Sequence, residues 1–284
     1  MVTGARILAL ILVALLPATP ATAQQKLPDR LIVLTFDDSV KSHYTVARGV
    51  LKKYGFGATF FVTEGLNCRT KPNSCMSWEE IRTLHKDGFE IGNHTRDHMV
   101  VKPENVSALE QQLQHIDDQC VRMGIPKPVS FAWPGNAIAV EALPALKKHG
   151  ILFGRRGGSP EYPTQKGLGV AYEPGHDHPY LIPSAGIPRP GWTLQTFQEA
   201  VNKGGNGRVA VIQFHGVPET EHPWVHTSQE LFEQYMRHLS DIGCKAIALR
   251  DLPRFVNTQV IPADPWEIIN LRRRLLSGGA QEQR

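Results

Sequence analysis

Apolar and polar positions follow one another along this chain in a repeating order. Leu31 to Leu34 is an unbroken apolar run, read as a strand buried on both faces, and it leads straight into Thr35-Phe36-Asp37-Asp38. Apolar residues at helical spacing follow from His43 to Tyr54, closed by Gly55, and Gly57 to Val62 reads as a second buried strand. The capping box Ser77-Trp78-Glu79-Glu80 opens a helix to about Lys86, ahead of a third strand, Phe89 to Gly92. Pro103 to Met123 is the longest helical pattern, and Val129 to Trp133 a fourth strand stopped by Pro134-Gly135. A helix from Val140 to His149 and a strand from Ile151 to Phe153 repeat the unit. After a stretch rich in Gly and Pro, so do a helix from Thr193, a strand from Val209 to Phe214, a helix from Ser228 to Asp241 and a strand from Lys245 to Leu249. The segment from Arg155 to Trp192 reads as a long surface loop, and the residues past Pro262, with Trp266, Ile268, Ile269 and Leu271, as a short docking helix before a disordered end.

Strands spaced by single helices predict an α/β domain with a mainly parallel sheet. In such folds functional groups gather at the carboxyl ends of strands, and Asp37, Asp38, His94, His98, Trp133 and His215 all fall at predicted strand exits.

Composition narrows the setting. The net charge of +4 is dispersed, with no basic run before Arg272-Arg273-Arg274, which argues against a nucleic-acid partner. Arg6, the apolar run Ile7 to Leu16 and Ala21-x-Ala23 read as a secretory signal over residues 1–23, too short for a comfortable membrane span, so a secreted or periplasmic protein is expected. Four cysteines in an exported chain favour disulfides: Cys68 with Cys75 across a polar loop, and Cys120 with Cys244, the alternative being free buried thiols.

His94 and His98, four apart, can share one ion, and Asp38 completes a two-imidazole, one-carboxylate set suited to zinc, iron or cobalt with positions left open. On a strand Asp37 points the other way, placed to take a proton from water beside the metal, and His215 is a candidate to protonate a leaving group. Each has a plainer reading, as a helix cap or a hydrogen-bonded core histidine.

Thr35-Phe36-Asp37-Asp38, His94-Thr95-Arg96-Asp97-His98, Trp133-Pro134-Gly135 and Phe214-His215, in this order, resemble the motifs of the polysaccharide deacetylases with NodB homology, carbohydrate esterase family 4. The resemblance runs from about Leu31 to Val256. It implies a single-domain distorted (β/α) barrel over residues 24–260 with fewer than eight regular strands, followed by a tail, 261–284. It also implies a divalent metal, usually Zn2+ with Co2+, Ni2+ or Fe2+ as alternatives, held by Asp38, His94 and His98. By the same resemblance Asp37 is the base, His215 the acid and the backbone of Gly135 an oxyanion donor. Ser39 stands where the family commonly has Gly, its fourth motif is not recognisable, and its Arg of the third motif is missing, Phe131 or Ala132 being near the place. Arg155 or Arg156, following the next strand, is a candidate substitute, the alternative being that both are solvated loop charges.

The expected activity is therefore metal-dependent removal of N-acetyl groups from an N-acetylglucosamine-containing poly- or oligosaccharide, with Trp133, Trp192, Trp224, Tyr162 and Tyr180 as aromatics able to stack on sugar rings. O-acetyl esterase action, or hydrolysis of another non-peptide C–N bond, is the alternative on the same site. An iron oxygenase shares the ligand set but favours other folds, and a non-catalytic carbohydrate-binding domain would need no base.

Overall fold

The computed structural model describes residues 24–66, 68, 70–163 and 167–278, so the signal expected over 1–23 lies outside the described residues. Eight strands form one parallel sheet: β1 (Leu31–Phe36), β2 (Thr59–Val62), β3 (Glu90–Asn93), β4 (Ser130–Ala132), β5 (Phe153–Arg156), β6 (Ile182–Pro183), β7 (Ala210–Phe214) and β8 (Lys245–Ile247). The order is β6-β5-β4-β3-β2-β1-β7, with β8 paired to the first half of β1. The chain after β6 completes the ring. Ala185 N–H donates to Val211 O at 2.8 Å and Gln213 N–H to Gly186 O at 2.9 Å, so a nearly closed barrel results.

The helices are α1 (Arg48–Tyr54), α2 (Trp78–Lys86), α3 (Val106–Arg122), α4 (Leu143–Lys148), α5 (Leu194–Val201), α6 (Gln229–Asp241) and α7 (Glu267–Gly278). Their starts follow the expected side chains: Ser77 and Glu80 form the capping box of α2, and Thr193 and Ser228 cap α5 and α6. Alternate residues of β1 feed two cores. Ile32, Leu34 and Phe36 pack outward under the helices, whereas Leu31 and Val33 share the barrel interior with Phe61, Phe153, Val209 and Val211.

The segment after Arg155 is not the expected surface loop. Arg155 and Arg156 lie inside β5, and Tyr172, Tyr180, Ile182 and Ile187 are buried. Its glycines serve close packing: a Cβ on Gly169 would stand 2.0 Å from Ser184 O. A low-hydropathy composition here reflects backbone lying on backbone, which leaves no room for the large apolar residues that usually signal burial.

Cys68 and Cys75 are disulfide-bonded, but Cys120 and Cys244 are free and buried, which corrects the expected second bridge. Cys120 sits on α3, which neighbours α2 through the shared Glu64 contacts of His115 and Trp78. Cys244 follows α6, packed between α1 and α5. With α1 and α2 between them, at about 8–10 Å per helix pair, the two thiols are far beyond disulfide reach.

The last described helix, α7, is fastened down. Ile269 of α7 is buried in the cluster that holds Phe131 and Trp133, and Arg272 binds Asp177 at 2.6 and 2.9 Å. The same Arg272 lies 3.8 Å from Glu161, whose carboxylate is clasped by Arg156 of β5 at 2.6 and 2.8 Å.

Candidate active site

The inward-facing residues of three strands change from apolar to polar at their carboxyl ends. Asp37 continues the phase of Leu31, Val33 and Thr35; Arg155 follows Phe153; Gln213 follows Val209 and Val211. Arg155 Nη2 donates to both Asp37 oxygens at 2.5 Å, and Gln213 Nε2 adds a third bond at 2.9 Å. Gln213 is itself held by Ser184, whose hydroxyl donates to its carbonyl oxygen at 3.0 Å. Arg155 is completely buried, stands over the Phe61 ring and donates from Nη1 to Asn136. Arg156, one residue on, points to Glu161 and takes no part in the site.

Asp38 faces elsewhere, and strand alternation is not the reason. β1 stops at Phe36, and Asp38 has φ 77, so a left-handed turn swings its carboxylate toward His94 and His98. His94 Nδ1 lies 2.8 Å from Ala132 O, which makes Nδ1 the protonated nitrogen and turns the Nε2 lone pair toward Asp38 Oδ1 at 3.3 Å. His98 Nε2 is 3.4 Å from the same oxygen, which is buried and has no hydrogen-bond partner among the described residues. One ligand atom from each of the three residues lies within 4.8 Å of the others. Lone pairs converging on an orphaned carboxylate oxygen call for positive charge between them, so the set fits a divalent cation.

Burial works against protonation of His94, but Asp38 and Asp37 outweigh it and raise its pKa, the response of an imidazole to negative charge that no cation balances. Burial opposes ionisation of Asp38, but the close imidazole of His94 above all, with those of His215 and His98, outweighs it and holds the carboxyl well below its ordinary value. Burial, aided by His94, pushes His98 down to about 4, leaving a neutral ring. Burial also lowers His215, against the pull of Asp38 and Asp37, and His215 Nε2 stands 3.9 Å from Asp38 Oδ2.

Backbone strain gathers here. Asp38, Ser39, Leu66, Thr95, His98 and Asn136 all have positive φ, and among the described residues only Asn206 shares that property without being glycine. The residues surround a cavity of about 270 Å³ whose walls include Asp37, Asp38, His94, His98, Gly135 and His215. A larger cavity of about 600 Å³ lies at the opposite, amino end of β1, beside Asp29, Arg30 and His238. It has no comparable ligand set, and in parallel barrels that end serves stability.

The expected aromatics divide. Trp224 borders the cavity and is 61% exposed, free to meet a sugar ring. Trp133 touches the cavity but is 0% exposed, its indole N–H donated to Tyr180 O, so it is a packing residue and cannot stack on substrate. Trp192 and Tyr180 are buried as well, and Tyr162 lies under Lys203.

Sequence reasoning missed Gln213, Asn136 and His43. Gln213 carried a signal, being the one polar residue in Val209-Ala210-Val211-Ile212-Gln213-Phe214. His43, fully buried against Phe36 and Phe60, holds the carbonyl of His215 at 3.0 Å through Nε2. Burial lowers its pKa from 6.5 to about 4. A depressed folded value means stability that is complete above pH 6.5 and drains away as pH falls toward 4. Between pH 7 and pH 5 the parent protein should therefore lose about 2 kcal/mol more than His43→Gln, as read from denaturant unfolding. Parallel pH profiles for the two would contradict it.

Comparisons with known proteins match the chain to one family and its fold. Residues 24–154 match the family model described as polysaccharide deacetylase. The chain is 27% identical over 135 residues to the putative polysaccharide deacetylase YxkH of Bacillus subtilis (strain 168), covering 47% of each protein. It is 27% identical over 123 residues to the peptidoglycan-N-acetylglucosamine deacetylase of Bacillus cereus (strain ATCC 14579), covering 43% of this chain and 54% of the relative. The chain thus spans about half the length of the curated relatives it matches. Its fold is similar to that of Bacillus subtilis PdaA, a family 4 carbohydrate esterase, with a TM-score of 0.52 at 18% identity over 79% of this chain and 81% of that one.

Proposed function

Because the chain belongs, through residues 24–154, to the polysaccharide deacetylase (NodB homology) family, we propose that it is a metal-dependent hydrolase removing N-acetyl groups from an N-acetylglucosamine-containing glycan. The unpartnered, buried oxygen of Asp38 between two imidazoles, one residue from an Asp37 neutralised by Arg155, carries this reading. Asp38, His94 and His98 would hold the metal, Zn2+ by the chemistry of the donors. When bound, such an ion supplies Lewis acidity at the acetyl carbonyl and makes water easier to deprotonate.

The rest falls to the protein. Asp37, aimed by Arg155 and Gln213, takes a proton from the attacking water. The Gly135 backbone, in the cavity wall, is the oxyanion donor in this reading. His215 gives a proton to the departing nitrogen. Burial makes its protonated form a strong donor, while the charges of Asp38 and Asp37 keep that form within reach. Acetate and a free amine result. Trp224 offers a face to the sugar, and the expected signal would place the protein where such glycans are found, outside the cytoplasm. Among the described residues no helix is long and apolar enough to cross a membrane.

Acetate release from chitin oligomers, peptidoglycan and acetylated xylan, with and without chelator, tests the reading. Release from an N-acetylated glycan that chelator abolishes is expected; activity on xylan alone would make the protein an O-acetyl esterase, and no release from any would refute it. His215→Ala should retain its metal and lose far more activity on an amide than on an activated ester, since an ester alcohol departs with less help. Equal losses would remove His215 from the acid role.

A further inference from the structure

Among the described residues three arginines held largely out of solvent each have a carboxylate partner, and Arg189 has none. Arg155 holds Asp37, Arg156 holds Glu161 and Arg272 holds Asp177. Arg189 borders the catalytic cavity half-buried, and its Nε is fully enclosed with no hydrogen-bond partner among the described residues. Burial lowers its pKa, and among the described residues no acidic neighbour raises it again. The cavity's own acids face other groups, Asp37 being held by Arg155 and Gln213 and Asp38 turned toward His94 and His98 as part of the proposed metal site. Keeping a guanidinium partly out of water without a counter-charge costs free energy, and an anionic ligand would remove that cost.

The arginine is also built in. The stretch before it is locked to β7 and to the Gly167 carbonyl, which accepts from Ile187 N–H at 2.7 Å. The stretch after it is a type II turn: Trp192 N–H donates to Arg189 O at 3.0 Å, with Pro190 and then Gly191 (φ 86) at the central positions. Pro188 and Pro190 flank Arg189, so its backbone is fixed before any ligand arrives. A rigid seat suits recognition.

Resting on the deacetylase reading above, we propose that Arg189 selects glycans bearing a carboxylate on the acetylated sugar or its neighbour. The planar guanidinium meets a carboxylate through paired N–H donors, a geometry lysine lacks. Neutral polymers of N-acetylglucosamine are then the poorer substrates.

Two acidic N-acetylated glycans serve as probes: heparosan oligosaccharides, with a uronate beside each N-acetylglucosamine, and peptidoglycan strands stripped of peptides, with lactyl carboxylates. Each is compared with its carboxyl-reduced form. The parent enzyme should prefer the charged form of at least one by about 10–100-fold in kcat/KM, the scale of one charged hydrogen-bond pair. Arg189→Gln should collapse that ratio toward one, and Arg189→Lys should restore part of it while controlling for folding. No preference on either glycan, or a preference that survives Arg189→Gln, would overturn the proposal. Binding of the same oligosaccharides, followed by tryptophan fluorescence, separates this from failure of the deacetylase reading. If no acetate is released from any glycan, tighter binding of a charged form that Arg189→Gln abolishes still sustains the anion site. Equal binding of charged and reduced forms refutes it.

Discussion

Asp38→Ala, His94→Ala and His98→Ala are each expected to yield protein that retains little divalent metal and releases acetate only at background level, whereas Asp37→Asn is expected to keep its metal and still lose about 10²–10⁴-fold in kcat. The division follows from where the two neighbouring carboxylates point. Asp38 presents a bare oxygen to two imidazole nitrogens, while Asp37 has both oxygens occupied by Arg155 and one also by Gln213. Metal content by mass spectrometry of the purified variants, beside their turnover, decides it. Loss of metal from Asp37→Asn, or retention in Asp38→Ala, would show that the roles are exchanged.

Arg155→Gln should destabilise the fold by about 3–5 kcal/mol, because it leaves a buried carboxylate without its cation. The pair is almost wholly out of solvent, with side-chain exposures of 0% for Arg155 and 3% for Asp37, so solvent screening offers little relief. The same substitution made on top of Asp37→Asn should cost much less, since no buried charge is then stranded. Denaturant unfolding of the parent, both single variants and the double variant gives the coupling directly. Strictly additive losses would mean that Arg155 contributes packing over Phe61 and nothing through Asp37. Activity should fall with Arg155→Gln as well, the carboxylate being no longer held for its proton.

Much of this was legible in the residues. A run of β-favouring side chains ending in two acids, and two histidines four apart after another apolar run, pointed to the parallel barrel and to the clustering of Asp38, His94 and His98, because burial of a strand and demand for charge at its exit leave opposite marks in sequence. Arg155 was legible only as a candidate. The apolar pattern stops at Phe153, and an arginine inside a strand reads as the loop beyond it unless its partner is known. The separation of Asp37 from Asp38 was anticipated for the wrong reason, since a positive φ is invisible in an aspartate where it would be expected of a glycine. Cys120 and Cys244 show the limit of counting, because an even number of thiols says nothing of the helices standing between them.

The last helix deserves a different view from that of a tail. Chain ends are ordinarily the first parts to open, at little free-energy cost and without effect elsewhere. Here Arg272 is tied through Asp177 and Glu161 to Arg156, and the residue before Arg156 on the same strand is the cation that neutralises Asp37. Ile269 adds an apolar tie to the cluster around Trp133. The last described helix and the Asp37 carboxylate are thus joined by one chain of ion pairs, so that on the deacetylase reading a substitution at Arg272 would reach the proposed base from a distant part of the sequence.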